Sequence, residues 1–458
     1  MHLHDSESPR TIAEARRALD EGELTAVQLV ERAAAGIAAH DGELGIFLTP
    51  TLEAAARAAA EADVRRTAGA PRGVLDGIPI VVKDNVFTAD APTTGQSLIR
   101  EPSTTGDAPA CAGLRTAGAV FLGKTTTMEF ALGFSDPDGP FPLPRNPWDP
   151  RRWTGGSSSG TASAVALGIA LGGVGTDTAG SIREPAAWCG ITGFKPTHGS
   201  VSQEGVLPLA WSMDHVGPMA RSAEDCALLY EAMASGSQRR SLPGGDAAAH
   251  LRGLRVGIAV QPLERSHDGV RALVAEAVAV LEDGGAAIRE VQLPHYDEAN
   301  DTVMLGLAAE GLAYHRNDAA QRWQEYGEIT RSALLTGLLL TGADEVQIQR
   351  VRRHVQLEAA RLFEDLDVLV APTTGGPAPF AERLDFQEVV DLLHTQYWNA
   401  TGEPALSVPI GRVEGLPVGM QIIGAAHTDA HVLAVGRAYQ ALTTHHLAHP
   451  HDQQEAPA

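Results

Sequence analysis

Lysine is nearly absent from this chain. Of its 35 basic residues only Lys83, Lys124 and Lys195 are lysine, the rest being arginine. An ammonium can lose its proton near neutral pH and a guanidinium cannot, so a chain that relies on arginine keeps lysine where that difference counts. Positive charge as a whole is also scarce. The formal net charge of −22 leaves no basic patch for phosphate contacts and argues against direct nucleic-acid binding. Cysteine is limited to Cys111, Cys189 and Cys226, each in an apolar segment and none at metal or redox spacing, which predicts reduced core cysteines. No apolar run reaches the ~18 residues of a membrane span, and the polar start shows no leader pattern. A soluble, cytoplasmic protein with no membrane partner is expected.

What is present is enough apolar material for a large core: 44% of residues are hydrophobic and 20% charged. Residues 1–70 are helical in pattern, with capping boxes at Thr11 to Glu14 and Thr25 to Gln28. From 77 to 234 short apolar strands alternate with helical stretches, the pattern of an α/β fold. A long loop is expected at 235–250, and alternation resumes with a strand at Leu254–Val260 and a helix after Asp268. Residues from about 300 to 362 read as a helical cap over the sheet edge, strands return at Val368–Ala371 and Val418–Ile423, and the polar tail 445–458 is expected to be disordered.

Lys83 ends the apolar run Ile78-Pro79-Ile80-Val81-Val82, which reads as a buried strand delivering one amine. Two segments rich in small residues follow, Gly155-Gly156-Ser157-Ser158-Ser159-Gly160 and Asp177-Thr178-Ala179-Gly180-Ser181-Ile182-Arg183, with Ser181 24 residues after Ser157. Small residues let backbone amides approach a ligand closely, so both suggest a site built from main-chain donors and hydroxyls. With Gly123-Lys124-Thr125, Arg145-Asn146-Pro147, Gly193-Phe194-Lys195-Pro196-Thr197 and Asp214-His215-Val216-Gly217-Pro218, in this order, the chain resembles the amidase signature family from about Thr11 to Thr443. The resemblance implies a single domain over 1–458, a mixed central β-sheet covered by helices on both faces, and hydrolysis of a small-molecule amide through a seryl acyl-enzyme. It implies no cofactor and no metal. A homodimer is left open.

By that resemblance Ser181 matches the nucleophile, Ser157 the bridging serine and Lys83 the terminal base. The backbone N–H groups of Thr178, Ala179, Gly180 and Ser181 match the oxyanion hole, and a cis peptide is implied between Gly156 and Ser157. One residue must act first as base and then as acid to the leaving amine, which here requires a neutral lysine. Moving a lysine from ~10.4 to near 7.5 costs about 4 kcal/mol, within what burial supplies. Asp84 would oppose that shift and is expected to face away. Arg183 is a possible substrate contact, although pairing with Asp177 or Glu184 is the expected role. Three positions depart from the family pattern: Ser159 and Ala179 stand where glycine is usual, and His198 where tyrosine is.

Two other motifs fail on context. Gly118-Ala119-Val120-Phe121-Leu122-Gly123-Lys124-Thr125 fits the phosphate-loop pattern, but its intervening residues read as a strand and Gly118 as a helix end. Gly156-Ser157-Ser158-Ser159-Gly160 fits the nucleophile elbow of α/β-hydrolases, but the preceding Pro147–Trp153 cannot be a buried strand. His427 and His431 stand four apart with no third ligand, and exposed helix positions are expected for both. The alternative function is the catalytic subunit of a glutamine-dependent tRNA amidotransferase, which shares the signature. It holds the substrate ammonium with an acidic residue seven positions before the residue matching Asn399. Here that position is Leu392, next to Asp391, which favours an uncharged acyl group facing Leu392.

Overall fold

Both capping boxes form. In this computed structural model, which describes residues 9–99, 106–134, 137, 139–234, 236, 241–242 and 244–450, Thr11 and Thr25 accept the N–H groups of Glu14 and Gln28, whose side chains reach back to the cap N–H. They open the helices Ile12–Asp20 and Ala26–Leu44, which Leu52–Thr67 follows. The first 70 residues are not wholly helical, because Phe47–Pro50 is a strand paired antiparallel with Val120–Thr125. Four residues are too few for a period to show.

Eleven strands form one mixed sheet. Their order across it is Phe47–Pro50, Val120–Thr125, Pro79–Lys83, Gly172–Asp177, His215–Ala220, Thr192–Lys195, Ala405–Val413, Leu416–Gly424, Val368–Pro372, Arg255–Ala259 and Ala287–Val291. Pro79–Lys83 runs parallel to both its neighbours, Val120–Thr125 and Gly172–Asp177. Side chains alternate between two cores: Val368 and Val370 join one apolar cluster and Leu369 and Ala371 another, so helices cover both faces. Cys111, Cys189 and Cys226 are buried as free thiols. The nine-residue strand Ala405–Val413 and the strand Ala287–Val291 are elements the sequence pattern did not mark. The second is mostly exposed and lies at the sheet edge, where no apolar alternation is required.

The cap consists of Tyr296–Arg322, Glu328–Leu339 and Gly342–Leu362. Glu310 accepts the N–H of Ser212 at 3.1 Å, and Arg352 donates to the Ala400 carbonyl at 2.9 Å and to the Ser212 hydroxyl at 2.6 Å, fastening the cap to loops beside the sheet. Of the loop expected at 235–250, residues 235, 237–240 and 243 lie outside the described residues; 244–247 form no helix or strand and lead into the short turn Ala248–Leu251. The tail expected at 445–458 is ordered at its start: His445–Leu447 forms a 3₁₀ turn, and Arg221 donates to the Ala448 carbonyl. Residues 451–458 lie outside the described residues. Among the described residues no helix is long and apolar enough to cross a membrane.

Candidate active site

All three lysines are buried. Lys83 ends its strand beside Gly172–Asp177, and its Nζ donates to Thr176 Oγ1 at 2.7 Å and lies 2.6 Å from Ser157 Oγ. Burial lowers its pKa to about 7, against the opposing charges of Asp177 and Asp214. Asp84 does face away: its carboxylate accepts from the Thr94 hydroxyl and backbone and pairs with Lys124 at 3.4 Å. Lys124 also donates to the Val86 carbonyl and to Thr93, and it sits in a strand, Val120–Thr125, that follows the helix Pro109–Thr116 and Gly118. No phosphate loop forms there. Lys195 donates to the carbonyls of Glu403 and Pro196, and burial lowers its pKa.

The first serine segment leads into the helix Ser159–Ala166, and the Gly156–Ser157 peptide is cis. Ser158 donates to the Thr176 carbonyl and accepts its N–H, and Ser159 donates to the Gly155 carbonyl, so both are structural hydroxyls. Asp149–Trp153 does form a strand, but in a separate, partly exposed two-stranded ribbon with Arg145–Asn146. The two serine segments are joined by the Ser158 N–H, which donates to the Ser181 carbonyl at 3.1 Å.

Asp177 organises the second segment. Its carboxylate accepts the N–H groups of Gly180 and Ile182 and holds Arg183 through Nε and Nη2, both at 2.9 Å. Desolvation opposes its ionisation, yet the charge and hydrogen bonds of Arg183, with Lys195 and Asn399, together outweigh it and keep the carboxyl well below its usual range. Arg183 spends its remaining donors on the Thr395 carbonyl, Gln421 and Asn399. All five guanidinium N–H groups are used and the side chain is fully buried, so Arg183 cannot contact a substrate. Its partner is Asp177 and not Glu184. Gly180, expected to offer its N–H to an oxyanion, already donates it to Asp177, which leaves Thr178, Ala179 and Ser181 as the backbone donors of that segment. Gly180 has φ of +136°, and a Cβ on it would collide with the Thr395 hydroxyl. Ala179 is not in the left-handed region, so the chain needs glycine at 180 and not at 179.

A cavity of about 220 Å³ opens on Ser181. Gly156, Thr178, Ala179 and Glu184 share its wall, and the cap contributes Met304, Leu305 and Leu307. Val389, Val390 and Leu393 complete the apolar side. Leu392, expected to face this cavity, instead packs in the cluster around Trp153 and Trp188, and Asp391 is exposed and bonded to Gln387. His198 and His215 stack edge to face at 5.2 Å outside the cavity lining. His427 precedes the helix Asp429–Leu442 and does not share its face with His431. Among the described residues no cluster is placed to hold a metal ion.

The profile of the Amidase family matches residues 28–433. The chain belongs to the amidase signature family. A curated relative, a glutamyl-tRNA(Gln) amidotransferase component from Symbiobacterium thermophilum, is 38% identical over 94% of this chain and 96% of its own length. A crystal structure of an amidase superposes with a TM-score of 0.87 at 34% identity, covering 94% of this chain and 99% of the other. The native peptide amidase of Stenotrophomonas maltophilia superposes at 0.80 and 31% identity, covering 94% and 96%. The protein is therefore an amide-hydrolysing enzyme with the amidase signature fold. In this amidase Gly180→Ala is expected to lower turnover by roughly 10²-fold or more, because the added methyl displaces the loop that presents the backbone donors. Ala179→Gly should stay within a few-fold of the parent, and equal losses at both positions would contradict that distinction.

Proposed function

We propose that the enzyme hydrolyses a small carboxamide with an uncharged, largely apolar acyl group, using Ser181 as nucleophile, Ser157 as bridge and Lys83 as base. The observation that carries the substrate class is the cavity wall, which is apolar except for Thr178, Ser181, Glu184, Thr336 and the Trp153 indole N–H. Burying a substrate ammonium without an anionic partner there would cost several kcal/mol. In the first half-reaction Lys83 takes the proton of Ser157 while Ser157 takes that of Ser181, whose Oγ attacks the carbonyl carbon. The N–H groups of Thr178, Ala179 and Ser181 support the developing oxyanion. Return of the proton through Ser157 lets the amine leave, and water then releases the carboxylate by the same relay.

A second reading, the catalytic component of a tRNA-dependent amidotransferase with glutamine as ammonia source, is favoured by the names of the curated relatives. It would bring a partner protein and a charged tRNA into the reaction. The two separate cleanly in ammonia release by the purified chain alone. Pentanamide is expected to turn over at least about tenfold faster than glutamine in kcat/KM. Hydrolysis of glutamine alone, or copurification in equal amounts with a tRNA-binding protein, would establish the second reading.

A further inference from the structure

The polar groups of the cavity wall are few, and most are committed. Thr178 donates its hydroxyl to Asp214 at 2.6 Å, and the Thr336 hydroxyl donates to the Ser332 carbonyl of its own helix at 3.5 Å. Ser181 is the proposed nucleophile. Two groups remain, the Trp153 indole N–H, which is buried without a hydrogen-bond partner, and Glu184, one helical turn after Ser181 at the start of Arg183–Cys189. Glu184 is 4% exposed, and its carboxyl takes the N–H of Gly156 on one oxygen. The other, Oε1, is buried with no hydrogen-bond partner. A buried polar atom left unpaired costs free energy, and when it borders a ligand cavity the ligand is the natural partner.

We propose that Glu184 is a specificity-determining residue, whose Oε1 hydrogen-bonds an acceptor atom on the acyl chain of the substrate close to the scissile carbonyl. The position follows from its neighbours, because Gly156, whose N–H reaches the carboxyl, and Ser181 line the same cavity. The direction of the bond follows the environment. Burial, reinforced by the nearby Asp177 carboxylate, raises the Glu184 carboxyl well above its usual range, which favours the protonated form that donates. The preferred substrate is thus an apolar carboxamide carrying one ether, hydroxyl or carbonyl oxygen two or three atoms from the carbonyl carbon. This deepens the proposed function and rests on that cavity being the acyl site.

The test compares pentanamide with its two ether isosteres, 2-ethoxyacetamide and 3-methoxypropanamide, by ligand-observed NMR titration of Ser181→Ala. Binding is read without turnover, so it stays separate from the hydrolysis that tests the function itself. One ether is expected to bind about tenfold more tightly than pentanamide. Adding Glu184→Met should bring that ratio to near one, and Glu184→Gln, whose amide still donates, should retain most of it. A ratio near one in the Ser181→Ala parent, or a ratio unmoved by Glu184→Met, overturns the proposal. So does tight binding of glutamine that Glu184→Gln abolishes, which would make the group a carboxylate holding an ammonium.

Discussion

Ser181→Ala is expected to abolish covalent labelling by a fluorophosphonate probe and to lower amide turnover by roughly 10⁴-fold or more, as removal of a nucleophile does when little else supplies one. The competing hydroxyls are already engaged. Ser158 is bound to both backbone groups of Thr176, and Ser159 to the Gly155 carbonyl, whereas Ser181 opens on the cavity. Ser158→Ala should therefore label at the parent rate. Ser157→Ala should still label, but slowly, and lose about 10²-fold in turnover, the usual worth of a base or its bridge. Mass spectrometry of the labelled peptide decides the matter: a probe found on Ser158, and persisting in Ser181→Ala, would move the nucleophile to the other serine segment.

Lys83→Ala is expected to cost at least about 10²-fold in kcat/KM, and Lys83→Arg to do no better, because a guanidinium keeps its proton. The sign of the pH dependence follows from the shift. Burial lowers the folded pKa of Lys83 to about 7, and the active form is the deprotonated one, so activity falls tenfold per unit below pH 7 and levels off above about 8. Asp177 does not titrate in that range, since Arg183 holds its carboxyl far below it. Burial also lowers the pKa of Lys195, so the ionisation that belongs to the base is the one lost in Lys83→Ala. A kcat/KM profile flat from pH 5 to 9, or a Lys83→Arg variant with near-parent activity, would count against the lysine as base.

The order of the signature segments and the burial of Lys83 were legible because both are local. A run of β-branched residues ending in lysine can only deliver that amine at the end of a covered strand, and Pro79–Lys83 does so. The orientation of Asp84 was legible for the same reason, since neighbours on a strand point to opposite faces. Arg183 and Glu184 were harder. Each was read as half of a local pair, but the partners that saturate Arg183 include Thr395, Asn399 and Gln421, lying 212, 216 and 238 residues further along the chain. No spacing rule reaches that far.

The sequence by itself determined the family, the mixed α/β architecture and the residues available for chemistry, because strand burial, capping and glycine-rich turns depend on near neighbours. The tertiary structure decided which of those residues can act. Arg183 was removed from the substrate by a closed shell of acceptors, Gly180 had its N–H taken by Asp177, and Glu184, a residue of the cavity wall, was left with one buried oxygen unpaired. The cap helices and the segment around Val389 turned the space above Ser181 into an apolar chamber. Hydrogen-bond saturation and cavity lining are properties of groups brought together from distant parts of the chain, and only packing determines which of them meet.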